Sequence, residues 1–282
     1  TFSLIGGTQM VKIDLTSATF IIPIRIESSD RLRNVITSVA FLLEHFDTNI
    51  IIKEVDARSV FKEEALPILK DILDEPIDVN HIFEYSEEPL FHRQKVLNEM
   101  IVEASTEIVV NYDCDVILPI QSYVLAYAGI KDNLYDVVYP YGTGMYQKQV
   151  KADDSVVSQF LQTGNYEYLD KVSNIHTSDF GWAQFFNRDV YIKGGMENEN
   201  FRAYAPEDKE RFYRFTTLGY NVGRIENFVY HLEHARGENS GFSNPHIKSN
   251  MNEWEKIGNM NKRQLLEYYS TQDYLKKYDI SI

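Results

Sequence analysis

The chain has 282 residues, with 42 acidic and 28 basic side chains and a formal charge of −14. That balance excludes a nucleic-acid binder, which needs clustered Lys and Arg for phosphates, and a polybasic membrane-surface protein. Hydrophobic residues at 44% and charged residues at 25% are globular proportions, and the single cysteine excludes a disulfide framework and any multi-Cys zinc site.

The length suits one large domain or two small ones. No apolar run approaches the roughly 18 residues of a membrane span. The opening TFSLIGGTQMVKID has neither a charged n-region nor a long apolar h-region, so no leader is expected. The expected location is cytoplasmic, with room for a peripheral association at the inner face of a membrane.

Ala18–Ile24 reads as a buried strand. Ser28 and Ser29 are candidate N-caps for a helix over about 30–46, where Leu32, Val35, Ile36, Val39, Leu42 and Leu43 recur at helical spacing. A second strand is expected at Asn49–Val55, a helix over 62–73, a third strand at His81–Tyr85, a helix over Phe91–Ala104 and a fourth strand at Glu107–Tyr112. This alternation predicts an α/β fold with a mostly parallel, Rossmann-like sheet flanked by helices. Ligands of such sheets bind outside the carboxyl ends of the strands, which points to Arg25, Asp56 and Asp113–Asp115. Further on, Asp136–Tyr141 reads as a strand, and 142–178 as a polar, weakly patterned loop able to move over a ligand. Phe180–Phe186 reads as a strand. Pro206–Leu218 reads as a helix ended by Gly219, and Val222–Leu232 as one strand. Residues 251–278 read as one or two polar helices.

Five groups of residues carry candidate chemistry. Asp113-Cys114-Asp115 places two carboxylates just past a buried strand, where they can ligate Mg²⁺ or Mn²⁺, although a solvated strand end looks the same. His231-Leu232-Glu233-His234 offers two imidazoles, good ligands for a divalent transition ion if the backbone turns to bring them together. Glu207 and Asp208 stand at a helix N-terminus, where carboxylates serve as plain caps or as a general base. Arg93 and Lys95 on the Phe91–Asn98 segment can reach a nucleotide or its phosphates, and so can Arg25 in Pro23-Ile24-Arg25.

In this order the motifs resemble the GT-A class of nucleotide-sugar glycosyltransferases, and more narrowly the β-1,4-galactosyltransferase family with its bacterial capsule-synthesis relatives, over roughly residues 18–237. Pro23-Ile24-Arg25 is similar to the family's Pro-x-Arg loop, Phe91–Asn98 to its F-N-R-A-K-x-L-N helix, and Asp113-Cys114-Asp115 to its D-V-D motif. Phe180-Gly181-Trp182 is similar to its F-G-G strand, Ala203–Glu210 to its G-W-G-G-E-D-D-D segment and His231–His234 to its M-x-x-H element. The resemblance implies a metal-dependent, inverting transferase moving a galactose- or N-acetylgalactosamine-like sugar from a UDP-sugar to a saccharide or lipid-linked oligosaccharide acceptor in capsule or surface polysaccharide synthesis. It implies Asp115, His231 and His234 as ligands of Mn²⁺, with Mg²⁺ as the alternative ion, and Asp208 as catalytic base. It implies Pro23, Arg25, Asp56, Arg93, Lys95, Asp113, Trp182, Tyr204 and Glu207 as donor- and cofactor-binding residues. His231 replaces a family methionine, which hardens the ligand set and implies broader metal tolerance. Asp179 stands at the donor-selecting position, where an aspartate departs from the family pattern, as Lys209 does in the acidic run. Cys114 is read as a filler and not a ligand.

The implied organisation is one GT-A catalytic domain over 1–250, with a nucleotide-binding half at 18–115 and a donor/acceptor half at 116–250, then a C-terminal helical extension at 251–282. Two rivals are a sugar-phosphate nucleotidyltransferase and a non-catalytic sugar- or partner-binding module. The first is disfavoured because Pro23–Asp30 contains no glycine to cradle a triphosphate.

Overall fold

A computed structural model describes residues 11–282; residues 1–10, most of the segment read for a leader, lie outside the described residues. The first half follows the alternation in the sequence. Strand β1 (Ile13–Ile24) runs into helix α1 (Ser29–His45), whose start is fixed by the Ser28 side chain accepting the Arg31 N–H. Then come β2 (Phe46–Asp56), a π-helical turn at Phe61–Ala65 leading into α2 (Leu66–Leu73), β3 (Asn80–Tyr85), α3 (Arg93–Glu103) and β4 (Ile108–Tyr112). The second half comprises β5 (Val116–Ile117), α4 (Ile120–Lys131), β6 (Val137–Tyr139), β7 (Gln147–Val150), α5 (Asp154–Thr163), α6 (Glu167–Asp170), β8 (Ser173–Ile175) and β9 (Ala183–Asn187). It ends with α7 (Arg188–Lys193), α8 (Glu207–Thr217), β10 (Val222–Arg224), β11 (Val229–Leu232), α9 (Ile247–Ile257), α10 (Lys262–Ser270) and α11 (Asp273–Lys277).

Among the described residues, seven strands form the main sheet in the order β10-β6-β9-β4-β1-β2-β3. All run parallel except β9, which is antiparallel to both β4 and β6. The predicted mostly parallel α/β sheet is therefore present. Its central strands are apolar on both faces, as a sheet covered by helices requires: Phe20, Ile21, Ile22, Val109 and Val110 are all buried. The chain leaves β1 for β2 on one side and reaches β4 on the other, so a crevice opens beyond the ends of β1 and β4. The antiparallel register Tyr112↔Ala183 brings residues 180–182 alongside Asp113.

Four expectations are corrected. The 142–178 segment is not a loop: it contains β7, β8, α5 and α6, and its strands join β5 and β11 in a second sheet ordered β5-β11-β7-β8. Val222–Leu232 is not one strand. The chain turns at Ile225–Phe228, leaving β10 in the main sheet and β11 in the second. The strand expected at Phe180–Phe186 begins only at Ala183, so Phe180-Gly181-Trp182 forms the turn before it. The C-terminal region holds three helices, the first beginning at Ile247.

Helix α8 is anchored by charge. It buries Glu210, Arg211, Arg214 and Phe215. The Arg211 guanidinium donates from Nε to both Glu197 oxygens at 3.0 and 2.8 Å, and from Nη1 to Gln184 Oε1 at 3.1 Å. Tyr191 donates its hydroxyl to Glu197 at 3.1 Å. One turn on, Arg214 clasps Glu210 at 2.8 and 3.1 Å and donates to the Gly194 carbonyl at 2.5 Å, while the Tyr269 hydroxyl from α10 donates to Glu210. Gly194 is required here, because a Cβ would meet the Phe215 ring at 2.3 Å. Such pairs contribute little net stability when intact, but breaking one strands a buried charge. Glu197→Leu should therefore cost about 3–5 kcal/mol in urea unfolding, and adding Arg211→Met should recover most of it. Equal losses in the single and double variants would contradict this account of the α8 anchor.

Candidate active site

A cleft of about 540 Å³ opens at the carboxyl ends of β1 and β4. The Asp113–Asp115 turn is fixed from below, where Ser38 Oγ donates to the Cys114 carbonyl at 2.6 Å. Beyond it, β5 pairs antiparallel with β11, and Leu232 N–H donates to the Asp115 carbonyl at 2.8 Å. Asn34 on α1 donates to the carbonyls of Leu232 and Glu233 at 3.0 and 3.2 Å, and Asp30 accepts the Ala235 N–H at 2.5 Å. These contacts turn the chain as β11 ends. His231 on the strand and His234 past it both aim Nε2 at Asp115 Oδ2, each at 3.2 Å. Ligand atoms of all three lie within 4.8 Å of one another.

The electrostatics of this cluster are lopsided. Burial pushes the Asp115 carboxyl up, but His231 and His234 outweigh it and hold it well below the usual carboxylate range. Burial lowers His234 and Asp115 more than restores it, so the imidazole is raised. Asp115 Oδ1 and His231 Nδ1 are buried with no hydrogen-bond partner among the described residues. A buried, ionised carboxylate oxygen without a donor is a place for a cation. One carboxylate and two imidazoles suit a divalent transition ion better than Mg²⁺, which prefers an all-oxygen shell. The residues present therefore fit the implied Mn²⁺.

Arg93 forms the cleft floor, donating to Asp113 Oδ1 and, at 3.4 Å, to Asn111 Oδ1. Burial still raises the Asp113 carboxyl, because Arg93 offsets only part of the desolvation and Asp115 adds to it. The far wall is the N-terminus of α8. Burial and the neighbouring Asp208 push Glu207 up to about 7, and its Oε2 has no partner among the described residues. Asp208 accepts the Lys209 N–H at 2.7 Å, and a Cβ added at Gly181 would lie 3.5 Å from its Oδ2.

The chain approaching α8 is held from the C-terminal region. Asn250 donates to the carbonyls of Arg202 and Ala205 at 2.7 and 3.1 Å, and Asn244 donates to that of Tyr204 at 3.2 Å. Ala203 and Ala205 take φ of +60° and +54°, and Trp182 takes +66°. Left-handed backbone in non-glycine residues costs about 1–3 kcal/mol each and gathers at functional sites. Tyr204 meets the exposed Phe242 ring edge to face at 5.1 Å.

Of the residues singled out in the sequence, Pro23, Arg25, Arg93, Asp113, Asp115, Trp182, Tyr204, Glu207, Asp208, His231 and His234 all line this cleft, and so does Asp179. Asp56 and Lys95 are not among its lining residues. Residues two apart on a helix point about 200° away from each other, so with Arg93 facing the cleft Lys95 turns out of it, where it pairs with Glu99 at 3.8 Å. Asp56 closes onto the Ala57 N–H at 2.7 Å. Arg25 lines the cleft and donates to the carbonyls of Val55, Glu88 and Pro89, tying the end of β2 to the loop after β3. The Trp182 indole packs on His231 and Tyr141 instead of standing open. Sequence reasoning missed Glu27, Arg31, His176, Arg236, Asn239 and Phe242 in the lining. Four of them, His176, Arg236, Asn239 and Phe242, lie in stretches without periodicity, which carry no signal of where they fold.

No protein-family model matches the chain, and no curated protein matches it in sequence. Its fold is similar to that of the mannosyltransferase PcManGT from Pyrobaculum calidifontis, solved in complex with GDP-Man and Mn²⁺. The TM-score is 0.50 at 14% identity, over 95% of this chain and 67% of that one. It is also similar to S. aureus TarS 1-349 in complex with UDP-GlcNAc, with a TM-score of 0.54 at 10% identity, over 90% of this chain and 70% of that one. The α/β architecture is thus one shared with glycosyltransferases.

The raised Glu207 has a measurable consequence. Its folded value of about 7 lies above the ordinary 4.5, so the fold binds this proton more tightly than the unfolded chain does. Stability is therefore lost as pH rises from about 4.5 to about 7, and the loss is complete above that. Glu207→Gln should raise Tm more at pH 8 than at pH 5; an equal gain at both would contradict a buried, proton-holding Glu207.

Proposed function

We propose that the chain is a metal-dependent, inverting glycosyltransferase. It takes a UDP-sugar of the galactose or N-acetylgalactosamine type and transfers the sugar to a hydroxyl of a saccharide or lipid-linked oligosaccharide acceptor, in capsule or surface polysaccharide synthesis. The observation that carries this reading is one cleft holding both the Asp115–His231–His234 cluster and the acidic start of α8. The likeness to structures holding GDP-Man with Mn²⁺ and UDP-GlcNAc supports a nucleotide-sugar donor. The β-1,4-galactosyltransferase resemblance, and with it the choice of UDP and sugar, rests on the motifs.

Asp115, His231 and His234 would hold the ion, which when bound supplies positive charge to the diphosphate leaving group. The remaining work falls to the chain. Asp208 accepts the proton of the acceptor hydroxyl as that oxygen forms its bond to the anomeric carbon and the bond from that carbon to the phosphate oxygen breaks. Attack on the face opposite the departing nucleoside diphosphate inverts the centre. Arg93 offsets part of the cost of burying the Asp113 carboxylate and adds positive charge to the cleft floor. Tyr204 and Phe242 offer aromatic surface at the mouth for a sugar ring. Lys209 and Asp179, the departures from the family pattern, both line the cleft and are the residues to vary when donor choice is tested.

Release of UDP from a panel of UDP-sugars, with and without Mn²⁺, tests the reading. The chain should release UDP in the presence of acceptor and metal, and Asp208→Asn should fold, bind Mn²⁺ and lose transfer by about 10²–10⁴-fold. Undiminished transfer by Asp208→Asn would remove the base assignment. No release from any donor would leave only the non-catalytic module.

A further inference from the structure

Trp182 links the Asp113–Asp115 turn to His231. Its carbonyl accepts the Asp113 N–H at 2.9 Å. Its indole lies on the His231 imidazole with centroids 5.7 Å apart and planes 19° apart, and Tyr141 packs against the same indole at 5.5 Å. With 8% of its surface exposed, the residue lines the cleft but offers it little area.

The two histidines differ in what orients them. His234 donates Nδ1–H to the Ala235 carbonyl at 2.8 Å, which leaves Nε2 facing Asp115. A metal-binding imidazole is ordinarily oriented in this way, through its other nitrogen. His231 lacks that device, since its Nδ1 is buried with no partner among the described residues. Yet its Nε2 sits at the same 3.2 Å from Asp115 Oδ2. Two ring contacts bear on its rotation, an edge-to-face approach of the His234 ring at 5.6 Å and the near-parallel stack on Trp182, and only the stack covers the face of the imidazole. Trp182 also holds φ of +66°, a conformation unfavourable for a bulky residue and kept only where the surroundings impose it.

We propose that Trp182 is the positioning residue for His231, its indole stack replacing the absent hydrogen bond and aiming Nε2 into the ion site. This rests on the metal reading above. Loss of the stack leaves the imidazole free to rotate, so the ion loses one of its three protein ligands for part of the time. His234 touches the His231 ring at its edge but keeps its own orienting bond to the Ala235 carbonyl when the indole is lost.

Mn²⁺ affinity, read by the EPR signal of free Mn²⁺ during titration, tests the proposal without any turnover. Trp182→Leu, with Trp182→Met in its place should Leu not fold, should weaken Mn²⁺ binding about 10–100-fold. Trp182→Phe, which keeps a stacking face, should stay within about threefold of wild type. In a double-mutant cycle, Trp182→Leu should add little to the loss caused by His231→Ala, yet add its full effect to His234→Ala. Wild-type affinity in Trp182→Leu, or a loss that Trp182→Phe does not rescue, overturns the positioning role and leaves the metal reading intact. Absence of Mn²⁺ binding by the wild-type chain overturns both.

Discussion

Among the carboxylates that line one cleft, those of Asp113, Asp115, Glu207 and Asp208 are buried or only partly exposed, and each needs a counterpart for the hydration it has lost. The chain solves the problem four ways. Asp113 takes the Arg93 guanidinium, Asp115 takes two imidazoles, and Glu207 holds its proton near neutral pH. Asp208 accepts a backbone N–H and shares its neighbourhood with a carboxyl that need not be charged. The division leaves one oxygen of Asp115 ionised and unpartnered, and that single imbalance is the strongest pointer to a cation. The net charge of −14 thus has a local meaning, although most acidic residues remain on the solvated surface.

Holding like charges close together demands a rigid frame, and the frame is unusual in being polar. The wall that carries Glu207 and Asp208 is pinned by two buried guanidinium–carboxylate pairs, Arg211–Glu197 and Arg214–Glu210. The C-terminal helices complete it: Tyr269 reaches Glu210, and Asn250 clamps the carbonyls of the strained Arg202–Ala205 approach. The C-terminal helices therefore help set where the acidic α8 terminus stands. The opposite wall is set by backbone pairing, with Leu232 on Asp115 and Asp113 on Trp182.

The fold was most legible where periodicity is strongest. The apolar runs of β1, β2 and β4 and the spacing in α1 announce a parallel sheet, because both faces of such a sheet are covered. The second sheet left no comparable mark: Gln147–Val150 and Ser173–Ile175 are short and polar, and they are strands through pairing rather than through propensity. Val222–Leu232 looked continuous because residues on both sides of its turn suit strands, and only topology separates them. In the site, the D-x-D and H-x-x-H motifs named the residues that converge. Lys95 falls outside the cleft lining because spacing along a sequence hides the opposite faces of a helix, while Arg25 lines the cleft and also serves neighbouring carbonyls. The aromatic stack on His231 lay beyond reach, since nothing in Phe180-Gly181-Trp182 says where its indole will fall.

The central claim is that the two imidazoles and Asp115 hold a divalent ion beside the donor diphosphate, with the α8 carboxylates across the cleft. Anomalous diffraction at the manganese edge from crystals soaked in Mn²⁺ and UDP measures this directly. The account predicts one strong peak bonded to Asp115, His231 Nε2 and His234 Nε2 and touching the diphosphate. A cleft that binds UDP with no peak at that cluster, or with manganese held elsewhere, would contradict it.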